Sequence, residues 1–165
     1  PKSILRLFGK VTLYLCVIEG LGCNTTCIMI SYKELIRQKN MLEYTSYDGI
    51  KIQVGRSAKE NDQLTMTSEP KHWWMHVAGC PGAHVVVCYE GDQLPRETKR
   101  DAAVLAVYHS KVPNTKMSPV DLVRVDQISK YQKSTHGLVN LEGEVMQLTV
   151  FMNKEKPRLD RLFIK

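Results

Sequence analysis

Five side chains that could bind a metal ion recur at every fourth position in the middle of the chain. On a single helix this spacing would align all of them on one face. However, Pro81-Gly82 interrupts the segment, and its flanks are rich in residues that favour strands. No CxxC pair of the kind that closes a tetrahedral zinc site is present. We therefore expect that His72, His76 and His84 form hydrogen bonds and that Cys80 and Cys88 are buried. None of these five residues is expected to bind a metal.

The same segment offers a cysteine nucleophile as an alternative. Cys80 could be activated by His76 or by His84, since a nearby histidine can accept the thiol proton. The sequence contains no GxSxG, HExxH, Walker or GxGxxG motif that would support hydrolysis or cofactor binding. We predict that the protein is not an enzyme, needs no cofactor and has no small-molecule substrate.

Basic residues interleaved with aromatic residues indicate a third kind of chemistry, the binding of nucleic acid. The chain has 23 Lys and Arg against 17 Asp and Glu, and its net charge is +6. Cationic side chains attract phosphate, and aromatic rings stack on unpaired bases. A protein-interaction module that holds an acidic partner on the same basic face is the alternative. The residues concerned are Tyr47, Arg56, Lys59, Lys71, Trp73, Trp74, Lys111, Lys116, Arg124, Lys130, Tyr131 and Lys133.

Cysteine usage and hydropathy indicate an intracellular protein that does not enter a membrane. The five cysteines are odd in number and form no CxxC pair, which favours reduced thiols. No apolar run approaches the roughly 18 residues that span a bilayer. Residues 1–40 are an unassigned extension, either a targeting remnant or a linker, and residues 41–165 form the domain. A cytoplasmic location is favoured over an organelle.

Local signals predict the elements that position these residues. Asp48-Gly49 indicates a hairpin, and Ser57 with Glu60 indicates a capping box at the start of a short helix. The small residues Ala102 and Ala106 predict a helix that packs closely on a sheet. Strands are expected at 73–77, 83–89 and 117–129, the main helix at 96–110, a last hairpin at 137–139 and 145–152, and a charged tail from 153. The predicted fold is α+β, a mixed, mostly antiparallel sheet with one main packed helix and a short helix.

Four sequence blocks, in order, resemble the NFACT-R domain. GRSAKENDQLT at 55–65 is similar to its GRNxxxNDxLT block, and WMH at 74–76 followed by PGAHVV at 81–86 is similar to its WFH…PGSHV block. AAVLAVYHSK at 102–111 resembles its AAxLAAxxSK helix. VDLVRVDQISK at 120–130 resembles the strand that follows. The chain departs from the family pattern at His72, Ser57 and Ala83.

The resemblance implies the RNA-binding module of ribosome-quality-control factors in a free-standing form. It implies binding to ribosomal or transfer RNA, with the ribosome itself as a further partner, and no catalysis. Arg56 would provide a planar fork for phosphate. Asn61 would either hold its loop or contact RNA. The remaining candidate contacts are Lys59, Gly82, Lys111, Arg124, Lys130 and Lys133.

The roles of the tryptophan and histidines remain open between function and structure. Trp73 and Trp74 are adjacent and should face opposite sides of a strand, so one is core and the other is exposed or capped. Trp74 would stack on a base or fill the core. His76 and His84 would pair, donate to phosphate or satisfy buried carbonyls, and if exposed they would strengthen RNA binding on acidification.

Overall fold

The computed structural model describes residues 41–112, 117–131 and 135–164. The predicted extension at 1–40 and the predicted RNA contact Lys133 lie outside these ranges. The strands are β1 (Leu42–Thr45), β2 (Lys51–Val54), β3 (Trp73–Val77), β4 (Val85–Val87), β5 (Ser118–Arg124), β6 (Ile128–Lys130), β7 (Val139–Leu141) and β8 (Met146–Val150). The helices are α1 (Ala58–Thr67), α2 (Arg96–Tyr108) and α3 (Lys156–Phe163), with 3₁₀ turns at Val125–Gln127 and Met152–Lys154.

Six strands form an antiparallel sheet in the order β1-β2-β4-β3-β5-β8, and β6 and β7 form a separate antiparallel pair. Helix α2 packs on one face of the large sheet, where Ala102 and Ala106 are completely buried in the main core. On the other face, Leu64 of α1 and the β6–β7 pair enclose a smaller core around Trp74. The structure confirms the predicted α+β fold and its mostly antiparallel sheet.

Turn and capping residues act largely as predicted. Gly49 has a positive φ of 77° in the β1–β2 hairpin, a conformation that L side chains rarely adopt. Ser57 Oγ accepts a hydrogen bond of 3.2 Å from the Glu60 amide and caps α1. The Glu60 carboxylate, however, accepts from the backbone amide of Arg56 at 2.9 Å. Glu60 therefore fixes the chain one residue before the cap.

Strand β4 is shorter than the predicted strand at 83–89 because side chains satisfy the backbone in front of it. The Ala83 amide donates to Ser110 Oγ at 3.0 Å, and the His84 amide donates to Asn61 Oδ1 at 3.1 Å. The first bond joins the loop to Ser110, two positions after the end of α2, and the second joins it to α1. The β3–β4 loop is held by side chains rather than by a strand ladder.

The predicted last hairpin is wrong. Strand β5 ends at Arg124, a 3₁₀ turn follows, and β7 pairs with β6 on the far face of the sheet. Strand β8 instead extends the large sheet beside β5, with Val120 opposite Leu148. The turn at Gly143 links two different sheets, so its φ of 81° marks a change of direction and not a hairpin.

The charged tail contains a helix that the sequence pattern did not predict. Helix α3 carries Pro157 in its first turn and buries Leu162 against the main core. Its arginines face acids of α2, so the charges that looked like a solvated tail form ion pairs. Within the described residues, no helix is long and apolar enough to cross a membrane.

Candidate nucleic-acid interface

Asn61 joins α1 to the β3–β4 loop. Its Nδ2 donates to the Gly82 carbonyl at 2.9 Å, and its Oδ1 accepts from the His84 amide at 3.1 Å. The side chain is buried, and both ends of the amide are used. Asn61 therefore holds the loop, as one of the two sequence interpretations proposed.

Two glycines allow the elements around Asn61 to approach closely. A Cβ on Gly55 would lie 2.3 Å from Asn61 Oδ1, and a Cβ on Gly82 would lie 2.1 Å from Ser110 Oγ. Ser110 therefore occupies the position that a side chain at Gly82 would take. These glycines make the packing of α1, the loop and α2 possible.

Trp74 and His84 form a buried hydrogen-bonded cluster with Thr65. Trp74 Nε1 donates to Thr65 Oγ1 at 3.1 Å, and that hydroxyl lies 2.8 Å from His84 Nδ1. The hydroxyl accepts from the indole and is also hydrogen-bonded to the imidazole, so the three polar groups are paired with one another inside the core. Trp74 and His84 are each 1% exposed. Direct RNA contact by either side chain, one of the sequence expectations, is contradicted by this burial.

His76 covers this cluster and links it to the surface. Its ring stacks on Trp74 with centroids 5.7 Å apart and meets the His84 ring edge-on at 5.3 Å. Burial, aided by the neighbouring His76, lowers the pKa of His84 to about 4, and burial also lowers the pKa of His76. The predicted gain of RNA affinity from charging these histidines between about pH 7.5 and 6 is therefore withdrawn.

Acidification should instead destabilise the fold through His84. The unfolded histidine titrates near pH 6.5 and the folded one near 4, so the unfolded state binds the proton first and stability falls as the pH drops through this window. Between about pH 7.5 and 5 the free energy of unfolding should fall by about 2 kcal/mol from this residue alone. Urea unfolding of wild type and His84→Gln at both pH values measures the difference. Equal pH dependence in the two proteins would contradict the assignment.

A cleft of about 530 Å³ opens above His76. It lies between the start of α1, the β3–β4 loop, the end of α2 and the loop before β7. Five of the predicted contacts line it, and no carboxylate does so among the described residues. Those five are Arg56, Asn61, His76, Gly82 and Lys111.

Asp62 fixes the wall of the cleft that precedes β7. Its carboxylate accepts from Lys130 Nζ at 2.5 Å, from His136 Nδ1 at 2.7 Å and from the Gly137 amide at 2.9 Å. Burial opposes ionisation of this carboxyl, but these three donors outweigh burial and lower its pKa. Lys130 thereby helps to fix this wall, and its predicted contact with RNA stays a prediction.

Two other predicted contacts lie away from the cleft. Arg124 donates to the carbonyls of Lys71 and Gly91, and its guanidinium lies 3.8 Å from the centroid of the Trp73 ring. Arg124 therefore caps Trp73, as was expected for one of the two adjacent tryptophans, although both indole rings are buried. Lys59 is exposed on α1 without lining the cleft. Arg124 is engaged in these structural contacts away from the cleft, and its predicted contact with RNA stays a prediction.

The cleft also contains side chains that the sequence patterns did not single out. His109 and His136 line it together with Leu138. His136 is held by Asp62, which lies 74 positions away in the sequence, so no local pattern could reveal it. His109 directly follows the end of α2 at Tyr108. Its position in the family-like AAVLAVYHSK block was the only feature of the sequence that pointed to it as a site residue.

Neither the metal alternative nor the Cys80–His84 pair finds support among the described residues. No group of three His, Cys, Asp or Glu side chains that could hold a metal occurs among the residues the structure describes. Cys88 lies beside Gln53, and burial raises the pKa of its thiol. The Nδ1 atom of His84 is bonded to Thr65, so it cannot serve Cys80 as a base.

Comparison with known proteins gives a consistent result. Residues 40–146 match the model of the family described as the NFACT protein RNA binding domain. The "Rqc2 homolog RqcH" of Streptococcus suis is 33% identical over 116 residues, which cover 68% of this chain and 21% of that protein. The "Rqc2 homolog RqcH" of Bacillus subtilis is 28% identical over 120 residues, covering 72% and 20% respectively.

A solved structure shows the same fold. The C-terminal part of the fibronectin/fibrinogen-binding protein of Streptococcus suis superposes with a TM-score of 0.63 at 30% identity. The match covers 71% of this chain and 47% of that one. The chain spans about a fifth of the length of the curated relatives, and the match to the family model covers most of the described domain. The chain therefore belongs to the family of NFACT protein RNA binding domains.

Proposed function

We propose that this domain binds RNA through the cleft, and that its ligand is ribosomal or transfer RNA met during ribosome quality control. The observation that carries the proposal is the lining of the cleft, which presents Arg56 and Lys111 and no carboxylate. The family's description as an RNA-binding domain supports the ligand class. The names of the RqcH relatives support the setting.

The electrostatics of the cleft suit phosphate. Arg56 and the cap Ser57 place the amino-terminal end of α1 at the cleft, where the helix dipole favours negative charge. Glu60 accepts from both the backbone and the guanidinium of Arg56, with Nε to Oε2 at 3.4 Å, and orients the side chain. Lys111 adds an exposed ammonium from the far side, after α2. Phosphate between the two would therefore meet donors on both walls.

The proposed activity is binding without catalysis. His84 is buried and bonded to Thr65, and Asn61 is bonded to the β3–β4 loop, so neither side chain offers the cleft a reactive group. We propose an intracellular location beside the ribosome, since that is where the RNA ligand would be met.

Replacement of Lys111 by alanine should weaken RNA binding and flatten its salt dependence. Loss of one phosphate contact should reduce the slope of log affinity against log salt by roughly 0.7 to 0.9. The measurement is a titration of labelled ribosomal or transfer RNA at several salt concentrations. Lys156→Ala is the matched control, because Lys156 is exposed on α3 and does not line the cleft. Equal slopes for wild type and Lys111→Ala would contradict the proposed placement.

A protein ligand is the second candidate, and one observation favours it. The structural neighbour carries a name that assigns it fibronectin and fibrinogen binding. In this alternative the cleft would hold an acidic segment of a protein. A competition experiment separates the two candidates. If the ligand is RNA, added ribosomal RNA should displace labelled transfer RNA from the domain. If the ligand is a protein, the domain should bind neither RNA in a salt-dependent manner.

A further inference from the structure

Four rings meet at the rim of the cleft. Tyr108 lies 5.0 Å from the Phe163 ring and 5.0 Å from the His109 ring, and Tyr44 lies 5.5 Å from Phe163. We call these four residues the aromatic rim. His109 also lines the cleft, so the rim is continuous with the proposed phosphate-binding surface.

The rim is an exposed surface held in place by a hydrogen bond. Tyr108 is 51% exposed and Phe163 is 41% exposed. Beneath them, the Tyr44 hydroxyl lies 2.8 Å from His109 Nε2. Burial raises the pKa of Tyr44, with Tyr108 adding to the effect, and burial lowers the pKa of His109. At neutral pH a neutral phenol is therefore hydrogen-bonded to a neutral imidazole, which fixes both rings.

Two independent elements create this surface. Tyr108 ends α2, whereas Phe163 ends α3, which lies beyond the residues that match the family model. Clustered and exposed aromatic rings are uncommon on a surface unless they serve a ligand. Lys111 follows His109 by two positions, so a cation that attracts phosphate accompanies the exposed rings.

We propose that the aromatic rim is a stacking site for an unpaired nucleobase of the RNA whose phosphates lie in the cleft. The inference rests on the proposed function and specifies the ligand as RNA with at least one unpaired nucleotide. A single strand or a loop can turn a base outward, and aromatic rings then stack on its face with little dependence on sequence. Continuity with a cleft that carries cations and no carboxylate favours a nucleotide over an apolar peptide.

The test compares Tyr108→Leu with wild type on three probes: a short oligoadenylate, the same oligomer with abasic positions, and an RNA duplex. Tyr108→Leu should bind oligoadenylate roughly 5- to 100-fold more weakly, since one base loses its stacking partner. The salt slope should be unchanged, because no phosphate contact is lost. Wild type should prefer the oligoadenylate to the abasic oligomer, and Tyr108→Leu should lose that preference. Affinity for the duplex should be the same in both proteins.

Two control variants accompany the test. Tyr108→Phe retains the ring and should bind like wild type. Phe151→Leu removes an exposed ring that follows β8, at the opposite edge of the sheet from β1, and should also bind like wild type. Because Tyr108 is half exposed, we expect Tyr108→Leu to fold, and its melting temperature verifies this.

The outcomes separate this inference from the proposed function. If wild type binds neither the three probes nor ribosomal or transfer RNA, the proposed function fails, and the stacking site fails with it; if it binds ribosomal or transfer RNA but none of the three probes, the stacking site alone is overturned. If wild type binds oligoadenylate with a normal salt slope and Tyr108→Leu binds it equally well, RNA binding stands and the stacking site is overturned. In that case the aromatic rim would instead be a binding surface for an apolar segment of a protein partner.

Discussion

Replacement of Asp101 by asparagine is expected to lower the free energy of unfolding by about 3 to 5 kcal/mol. Asp101 is completely buried, and its Oδ1 accepts from Arg158 Nη1 at 2.5 Å and from Arg161 Nη2 at 2.6 Å. Its Oδ2 accepts from the Tyr47 amide at 2.8 Å. The substitution keeps the shape but removes the charge, leaving two guanidinium groups without their shared partner.

Arg158 makes this loss severe. Burial alone would lower its pKa, but hydrogen bonds to Asp101, Glu97 and Glu155 outweigh burial and raise it, so the group is charged at every accessible pH. Its side chain is only 17% exposed, so water cannot readily replace the carboxylate. Because Asp101 lies on α2 and Arg158 on α3, the substitution should also loosen α3 and withdraw Phe163 from the aromatic rim.

Urea unfolding measures the effect, and Asp160→Asn is the matched control. Asp160 pairs with Lys156 at 3.0 Å on the solvent face of α3, with both side chains largely exposed. Exposed pairs of this kind contribute about 0.5 kcal/mol or less. If the two variants unfold at the same urea concentration, the buried network does not hold α3 to α2.

Asn61→Ala is the second substitution with a large expected effect. It should cost about 2 to 4 kcal/mol, because it leaves the Gly82 carbonyl and the His84 amide without their partner. RNA affinity should fall as well, since the β3–β4 loop forms one wall of the cleft. Thermal and urea unfolding give the first quantity, and RNA titration of the folded fraction gives the second.

Two further variants make the role of Asn61 testable. Asn61→Asp retains the acceptor for the His84 amide but sets a buried carboxylate oxygen against the Gly82 carbonyl, so its loss of stability should be at least as large as that of Asn61→Ala. Asn140→Ala, at an exposed position of β7, should change stability by less than about 0.5 kcal/mol. A stability loss for Asn61→Ala no greater than that for Asn140→Ala would show that the loop is held by other contacts.

The sequence predicts features whose cause is local. The Asp48-Gly49 turn, the Ser57 cap and the small-residue face of α2 each depend on neighbours within a few positions, and the structure confirms all three. The family resemblance likewise identified the correct blocks, because their order along the chain is itself specific.

Features that depend on distant partners were not predictable from patterns. Strand β8 pairs with β5 because the chain crosses between two sheets, and alternation of residue types does not specify which strand is the partner. Helix α3 is stabilised by Asp101, which lies 57 positions from Arg158. For the same reason the sequence pattern predicted only a charged tail from 153 and no helix there.

The family motifs identified site residues without revealing which of them reach solvent. Trp74 and His84 have the residue types of RNA contacts, yet both lie beneath the cleft and are bonded to Thr65. The contact of Lys130 with Asp62, across 68 positions, was likewise not visible in the sequence. Arg56 and Lys111 are the predicted cations that line the cleft.

The most direct measurement of the central claim is RNA affinity after charge reversal inside and outside the cleft. One variant carries Arg56→Glu with Lys111→Glu, and its control carries Lys71→Glu with Lys156→Glu at two exposed positions that do not line the cleft. Both variants have the same net charge. We expect the first to lose roughly 100-fold in affinity for ribosomal or transfer RNA, and the second to lose less than about fivefold. Equal losses in two folded variants would show that RNA responds to net charge alone and would contradict binding in the cleft.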